Sequence, residues 1–266
     1  SGTMFRPSEL SAEKTELLRT VMLGGSTMVS LGNGVRALQK EFNNMGVNLS
    51  NEFGEAEEEL AVKDTPENFF GDRTRALKDA SLELGYDVKP MPKFVDFSRC
   101  RMCGACVTGC RYGAKWTAMN FLGKARSSGA KILTNTSVER ILHENGEVRG
   151  VQVRDSSRTY GIKADCVILA AGGLGSPVIL QKSGLDAGDG LFADLFVITY
   201  GLSDKRGMGE ELGMATVIDE FHNDHGFIIS PRHRYEAGHA SLSPSAQKDA
   251  CLEKRSASRT YDEDSG

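Results

Sequence analysis

The stretch RCRMCGACVTGCRYGAK, residues 99–115, carries four of the six cysteines in the chain. They stand at Cys100, Cys103, Cys106 and Cys110, in the spacing C-x2-C-x2-C-x3-C. Thiolates packed that densely repel one another and oxidise readily unless something holds them. The usual holders are a metal cluster, a metal ion or disulfides. These four are the candidate metal ligands.

The spacing matches the cysteine run of bacterial ferredoxins, whose short turns aim consecutive thiolates at a [4Fe–4S] cube. In two-cluster ferredoxins the fourth cysteine serves the other cluster and precedes proline. Here Arg111 follows Cys110 and there is no second run, so a lone cluster takes Cys110 itself or the distant Cys166 or Cys251. On the residues alone three holders stay open: an iron–sulfur cluster, zinc, or structural cysteines that are reduced or disulfide-paired.

The bulk numbers narrow the class. In 266 residues, 32 basic against 36 acidic side chains leave a net charge of −4 without a basic stripe or an acidic block. That argues against nucleic acid as a partner. Mean hydropathy is −0.31, and no apolar run approaches the ~20 residues of a membrane span. The opening SGTMFRPSEL has no signal-peptide apolar region, and Ser1-Gly2-Thr3 before Met4 reads as an expression scar or the interior of a longer protein. Clustered cysteines in a chain of this size fit a reducing, cytoplasmic compartment better than a secreted disulfide framework. Thirty glycines, many beside apolar runs, suit close backbone approach to a nucleotide.

Upstream of the cysteines, Ser11 caps an expected short helix ending near Gly24-Gly25. Val35, Leu38 and Phe42 mark a second, stopping at Gly46, and residues 51–59 read as acidic and exposed. Thr65-Pro66-Glu67 is an expected helix start, the helix running to Leu84 and closing at Gly85. Pro90 and Pro92 enforce extended chain into the run. Downstream, Trp116, Met119, Phe121, Leu122 and Ala125 predict a partly buried helix ending near Gly129. Residues 131–134 read as a short strand. Ser137 to His143 and Val148 to Arg154 flank Asn145-Gly146, the signal of a type I′ hairpin, and Thr159 to Ile162 follow as a third strand. Asp165 to Ala171 is a continuous apolar run, expected as a strand buried on both faces. The glycines from Gly172 then lead into a helix over Val178 to Lys182. The residues from Ala240 on are polar and expected to be disordered.

Two glycine turns look able to admit a cofactor. One is Gly24-Gly25-Ser26-Thr27 with Gly32-Asn33-Gly34, where Ser26, Thr27 and Asn33 can hydrogen-bond a ring or ribityl chain. The other is the strand–glycine–helix corner at 165–182. Each also has a purely steric explanation. Of the histidines, His222 beside Asn223 is the candidate for catalysis, but adjacent residues on extended chain would face opposite ways. A structural role is the simpler reading for it and for His225, His233 and His239.

Taken in order, these pieces resemble the glucose–methanol–choline (GMC) oxidoreductases. GGSTMVSLGNGVRAL resembles the family's flavin-contacting loop, and CGACVTGCRYGAK is similar to the cysteine stretch of its long-chain alcohol oxidase branch. ILTNTSVERILHENGEVRGVQV and ADCVILAAGGLGSPVILQKSGL resemble its adenine-contacting strand, hairpin and second glycine turn. The resemblance covers about residues 20–205. It implies FAD, with Gly24, Gly25, Ser26, Thr27, Asn33 and Gly34 near the isoalloxazine or pyrophosphate. Val138 would touch the adenine through its backbone, and Ala171 and Gly172 would lie beside the cofactor. No GxGxxG turn precedes Gly24, and nothing after residue 205 matches the family's catalytic histidine segment, so the catalytic base is unassigned. A truncated form, a fragment or one subunit of a split enzyme is expected.

The expected fold is α/β (mixed α+β): an incomplete, Rossmann-like FAD-binding GMC core over 1–240, a cysteine-cluster insertion at 98–115, and a disordered tail over 241–266. The expected function is FAD-dependent oxidation of a small alcohol-type CH–OH substrate, with a 4Fe-4S cluster (zinc as the alternative) relaying electrons to a redox partner or complementing subunit. The competing expectation is a non-catalytic, metal-stapled electron-transfer or interaction subunit of a larger flavoenzyme.

Overall fold

In the computed structural model the described residues are 9–10, 16–17, 20–190, 194–199 and 211–231. They belong to two compact units, one of residues 1–123 with 204–266 and one of residues 124–203. The class is mixed α/β, and every strand pairing among the described residues is antiparallel.

In the first unit, β1 (Glu9–Leu10) pairs with β2 (Glu16–Leu17). The helix expected from Ser11 is therefore interrupted at Glu16, because the backbone there is extended and bonded to a neighbour. The helix expected from Val35 begins later, as α1 (Gln39–Asn44), since Leu38 adopts a left-handed φ of 60°. Residues 51–59, expected only to be exposed, form α2 (Ser50–Glu59), and Arg36 clamps its Glu57 with two bonds of 2.6 and 2.7 Å.

The helix start expected at Thr65 is also displaced. Thr65 is 1% exposed, and its hydroxyl donates to Met91 O at 2.7 Å instead of capping a helix. A single 3-10 turn follows at Glu67–Phe69, Gly71 is extended, and α3 (Asp72–Glu83) starts only there. A Cβ on Gly71 would stand 1.8 Å from Glu211 Oε2. Close approach of the buried Glu211 is what requires glycine at that break. Gly85, with φ +87°, ends the helix as expected.

Short two-stranded ladders frame the unit. β3 (Lys63–Asp64) pairs with β5 (Pro92–Lys93), and β4 (Val88–Pro90) pairs with β9 (Thr216–Ile218). Pro90 and Pro92 sit in extended chain, as their fixed φ predicts. On this strand Met91, Lys93 and Val95 alternate onto one buried face. A small core of Phe70, Leu212 and Ala215 carries Phe69, Phe97, Cys100 and Cys106 against it. The expected helix after the cysteines is α4 (Met119–Ser127), which Gly129 terminates with φ +89°.

The second unit is a meander. β6 (Ser137–Glu144), β7 (Glu147–Arg154) and β8 (Thr159–Lys163) lie in sequential antiparallel order. Asn145 and Gly146 have φ 51° and 82°, the type I′ signature. α5 (Gly172–Lys182) packs on β6, and Ser183 Oγ accepts the Ile141 N–H at 2.8 Å. Two expected strands are not formed. Residues 131–134 and 165–171 are irregular, and Ile168 is 86% exposed. An apolar run becomes a buried strand only when a neighbour takes up its N–H and C=O groups. No strand among the described residues pairs with either stretch; the Ala171 N–H goes to Ser176 Oγ and Thr134 O accepts the Thr136 hydroxyl.

Candidate functional site

The cysteine run leaves and rejoins the first unit at one place. Phe94 to Asp96 lie antiparallel to Ala114 to Trp116. The Asp96 N–H donates to Ala114 O at 2.7 Å and the Trp116 N–H to Phe94 O at 3.0 Å, while Val95 bridges Lys115. Beyond this neck Asp96 builds a turn, its carboxylate accepting from the Ser98 N–H at 3.0 Å and the Ser98 hydroxyl at 2.6 Å. The Ser98 hydroxyl bond holds the Asp96 carboxyl below the usual range. The chain then bends through left-handed Met102 (φ 53°) and Gly104 (φ 66°), makes a 3-10 turn at Ala105–Thr108, and turns again at Gly109. Left-handed backbone at a bulky residue such as Met102 is uncommon and clusters at functional sites.

These bends bring all four cysteines to the wall of one cavity, lined by Cys100, Cys103, Cys106 and Cys110 together with Leu212 and Lys115. No disulfide links them. Burial pushes the Cys100 and Cys106 thiols up, and the charges of Lys93 and Lys115 oppose the rise at Cys106. At Cys110 burial acts the same way but is outweighed by backbone N–H groups of Lys115, Ala114 and Tyr112, so its thiol is lowered. The Ala114 N–H lies 3.3 Å from Cys110 Sγ.

Two lysines complete the surroundings. Lys93 is 0% and Lys115 4% exposed. Lys93 Nζ donates to Leu31 O at 3.0 Å and Asn33 Oδ1 at 2.6 Å. Burial pushes its ammonium down to about 8, while the Cys106 and Cys100 thiolates pull it up. Lys115 Nζ donates to Met28 O at 3.0 Å, Ser30 O at 2.6 Å and Cys106 O at 3.1 Å. Burial lowers it too, against the pull of Cys106 and Cys110. A buried ion costs several kcal/mol of lost hydration. Each hydrogen bond to a charged group returns roughly 1.5–3 kcal/mol. The carbonyls around Lys115 therefore offset much of the cost of its burial, and the sulfurs supply negative charge.

Sequence reasoning passed over both lysines. The signal for Lys93 is the period-two pattern Met91, Lys93, Val95, which puts a lysine on an inward face. For Lys115 it is the neck itself, which only the fold reveals.

The first glycine turn is fastened to this loop. Gly24 and Gly25 have φ 85° and 53° and open a 3-10 turn at Gly25–Met28. The Thr27 hydroxyl donates to Gly24 O and accepts the Ala118 N–H at 3.0 Å. Gly32 O accepts the Phe94 N–H at 2.8 Å, and the Gly34 N–H donates to Pro92 O at 2.7 Å. The structure thus brings Gly24, Gly25, Ser26, Thr27, Asn33 and Gly34 together with the four cysteines in one unit. Asn33 spends its side chain inward, on Lys93 and on Met214 Sδ at 3.2 Å. Ser26 is exposed, and nothing lies within 4 Å of where a Gly25 Cβ would stand. That leaves Gly25 and Ser26 as the open edge of the turn.

Val138, Ala171 and Gly172 lie in the second unit. Val138 is on β6, 37% exposed, and Gly172 opens α5 with φ +77° and free space beside it. His222 and Asn223 belong to a helical turn, α6 (His222–His225), not to extended chain, so the expected opposition of their side chains does not hold. His225 lies in an aromatic group with Phe221 and Phe227. Cys166 is exposed. Cys251, His233, His239 and the tail expected over 241–266 lie outside the described residues.

Among the described residues no three His, Cys, Asp or Glu side chains converge closely enough to hold a single metal ion. Tetrahedral zinc, with Zn–S near 2.3 Å, needs sulfurs about 3.8 Å apart. A cube ligated at four separate irons needs them further apart. Among the same residues no helix is long and apolar enough to cross a membrane.

Residues 10–212 match the family described as GMC oxidoreductase, and the chain belongs to that family. Among its relatives, an uncharacterised protein of Methanocaldococcus jannaschii is 34% identical over 214 residues, covering 79% of this chain and 52% of that protein. An uncharacterised GMC-type oxidoreductase of Mycobacterium tuberculosis is 31% identical over 228 residues, 78% of this chain and 35% of the relative. A cholesterol oxidase of the same organism is 42% identical over 91 residues, 31% of this chain and 15% of that enzyme. The chain thus spans about half of the first relative and about a third of the second. The solved pyridoxine 4-oxidase from Mesorbium loti superposes with a TM-score of 0.49 at 20% identity, covering 68% of this chain and 41% of that one.

Proposed function

We infer that this chain is part of an FAD-dependent GMC oxidoreductase acting on an alcohol-type CH–OH group, with a [4Fe–4S] cluster held by Cys100, Cys103, Cys106 and Cys110. The observation that carries the reading is the shared cavity of the four sulfurs, with Lys115 tied both to Cys106 and to the glycine turn at Met28 and Ser30. FAD supplies an acceptor for the hydride of the alcohol carbon, and an iron–sulfur cluster carries electrons one at a time.

In donor chemistry the glycine turns suit FAD and the four cysteines suit an iron–sulfur cluster, although among the described residues the cysteines as placed do not converge on a metal ion. Gly25 and Ser26 offer open backbone to a flat ring, Gly172 offers the same to the nucleotide, and Val138 offers its backbone to an adenine. Gly24, Thr27, Asn33, Gly34 and Ala171 shape the two turns. Four cysteines around one cavity, a backbone N–H on the Cys110 sulfur and two buried lysines suit an anionic cluster. The cavity is about 20 Å³, room for roughly one water, so the run must widen to seat a cube. The glycines at 104, 109 and 113 are where it can.

A second reading, a metal-stapled electron-transfer subunit without flavin, draws on the largely exposed chain at 165–171, which forms no strand. One preparation separates them. Purified protein with absorbance near about 450 nm and stoichiometric iron and sulfide supports the flavoenzyme with cluster. Broad brown absorbance without flavin supports the subunit, and a colourless protein containing zinc defeats both.

A further inference from the structure

We propose that Lys115 is a positioning residue that holds the glycine turn over 24–34 in the shape that receives the flavin. The inference rests on the flavin reading above and is independent of what the cysteines hold. Lys115 stands on the neck, where it bridges Val95 and where the next N–H, that of Trp116, donates to Phe94 O at 3.0 Å. From that base its Nζ donates to Met28 O at 3.0 Å, Ser30 O at 2.6 Å and Cys106 O at 3.1 Å. Three acceptors take all three N–H donors of an ammonium, so the head group is spent wholly on backbone. Met28 ends the 3-10 turn Gly25–Met28, and the last carbonyls of a helical turn find no partner inside it. A lysine ammonium is a suitable partner for them.

The stem of the same side chain bounds the turn as well. Gly32 has φ +74°, and a Cβ there would stand 3.3 Å from Lys115 Cγ and 3.4 Å from its Cδ. Thr27 adds a second fastening, its hydroxyl accepting the Ala118 N–H at 3.0 Å. Residues 115–118 thus clasp the turn at Thr27, Met28, Ser30 and Gly32, and they leave Gly25 and Ser26 open. Glycine gives backbone many alternative shapes, and Gly24 and Gly25 both sit in the left-handed region, at φ 85° and 53°. A turn without its pin has to be ordered each time a flavin binds, and a turn held in place avoids that cost. Removing the pin is therefore expected to weaken FAD binding by about tenfold or more.

The test compares the full chain with three variants. Lys115→Met keeps the stem and drops every donor, Lys115→Gln keeps a shorter amide donor, and Gly71→Ala strains the same unit at Glu211. FAD affinity is read by quenching of flavin fluorescence, and backbone opening by hydrogen–deuterium exchange. Lys115→Met is expected to lose FAD affinity by the stated factor and to exchange faster across 24–34, with α3 and the meander at parent rates. Lys115→Gln should fall between it and the parent, and Gly71→Ala should bind FAD as the parent does. Where Lys115→Met does not fold by circular dichroism, Lys115→Gln carries the test. Lysine variants that bind FAD as tightly as the parent overturn the proposal. A loss matched by Gly71→Ala, or exchange that rises equally in α3, also overturns it, because Lys115 then serves general stability alone. A parent that binds no FAD overturns the flavin reading and this role with it, an outcome told apart by the failure of the parent itself.

Discussion

Between residues 137 and 163 each strand hydrogen-bonds the one just before it, through a two-residue turn and then a short loop. Around the cysteines the partners are far apart in the chain. Lys115 reaches Met28 and Ser30, Thr65 reaches Met91, and Glu211 reaches Thr74. The meander closes short loops and the cysteine unit closes long ones, so the second spends more chain entropy on each contact. In the cysteine unit a modest apolar core of Phe70, Leu212 and Ala215 sits beside a buried polar assembly of sulfurs, lysines and carbonyls whose hydrogen bonds offset much of their own lost hydration. Its integrity should therefore depend on chemistry, whereas that of the meander depends on backbone geometry.

The largest expected effect tests the chemical half of that contrast. Substituting Cys103 by Ser removes the thiol of one cavity cysteine, and iron content and visible absorbance should collapse while the meander persists. A C103S protein that keeps its iron and colour ends the assignment of that ligand. Next comes the geometric half. Gly150 has φ +136°, and a Cβ there would stand 2.0 Å from Ile162 O, a backbone atom that cannot step aside. Gly150→Ala should cost about 3 kcal/mol or more, read by denaturant unfolding, and it should leave iron content untouched. Equal stability of G150A and the parent would mean that β7 and β8 are not in the observed register.

A smaller loss is expected at Gly71→Ala, whose Cβ meets the side chain of Glu211 instead of backbone. Here about 1–3 kcal/mol is expected, because Glu211 can shift only by giving up Thr74 and Arg73. The smallest effect is on pH dependence. Burial raises the Glu211 carboxyl above its ordinary value, so the folded state holds that proton more tightly than the unfolded chain. Its contribution is full below the unfolded carboxylate pKa and is lost as pH rises through the raised one. Relative to Glu211→Gln, the parent's thermal midpoint should gain as pH falls through the raised value toward the ordinary carboxylate range. A difference that stays flat over that range would put Glu211 in contact with solvent.

How much of this could be read beforehand follows the same division. Asn145-Gly146 fixed its hairpin because both residues tolerate φ > 0, and Gly85 closed its helix for the same local reason. The four cysteines announced a shared site by spacing alone. Thr65 misled because Thr-Pro-Glu is a fair cap signal, yet Met91 O, 26 residues on, takes both its N–H and its hydroxyl proton, and Pro66 after it stays extended with ψ 146°. Asp165 to Ala171 misled because apolar composition states a preference for burial without naming a partner. Lys93 and Lys115 were passed over because a lysine is ordinarily a surface residue, and only the neck and the Met91–Val95 alternation turn them inward.

That neck has a consequence for how disturbance travels through the unit. Phe94 to Asp96 and Ala114 to Trp116 are bonded to each other across the base of the loop, so the scaffold reads the excursion between them as a single stitch. Above that stitch Phe97, Cys100 and Cys106 fold back onto Phe70, Leu212 and Ala215, so a change in the loop reaches the apolar centre of the unit as well as the sulfurs.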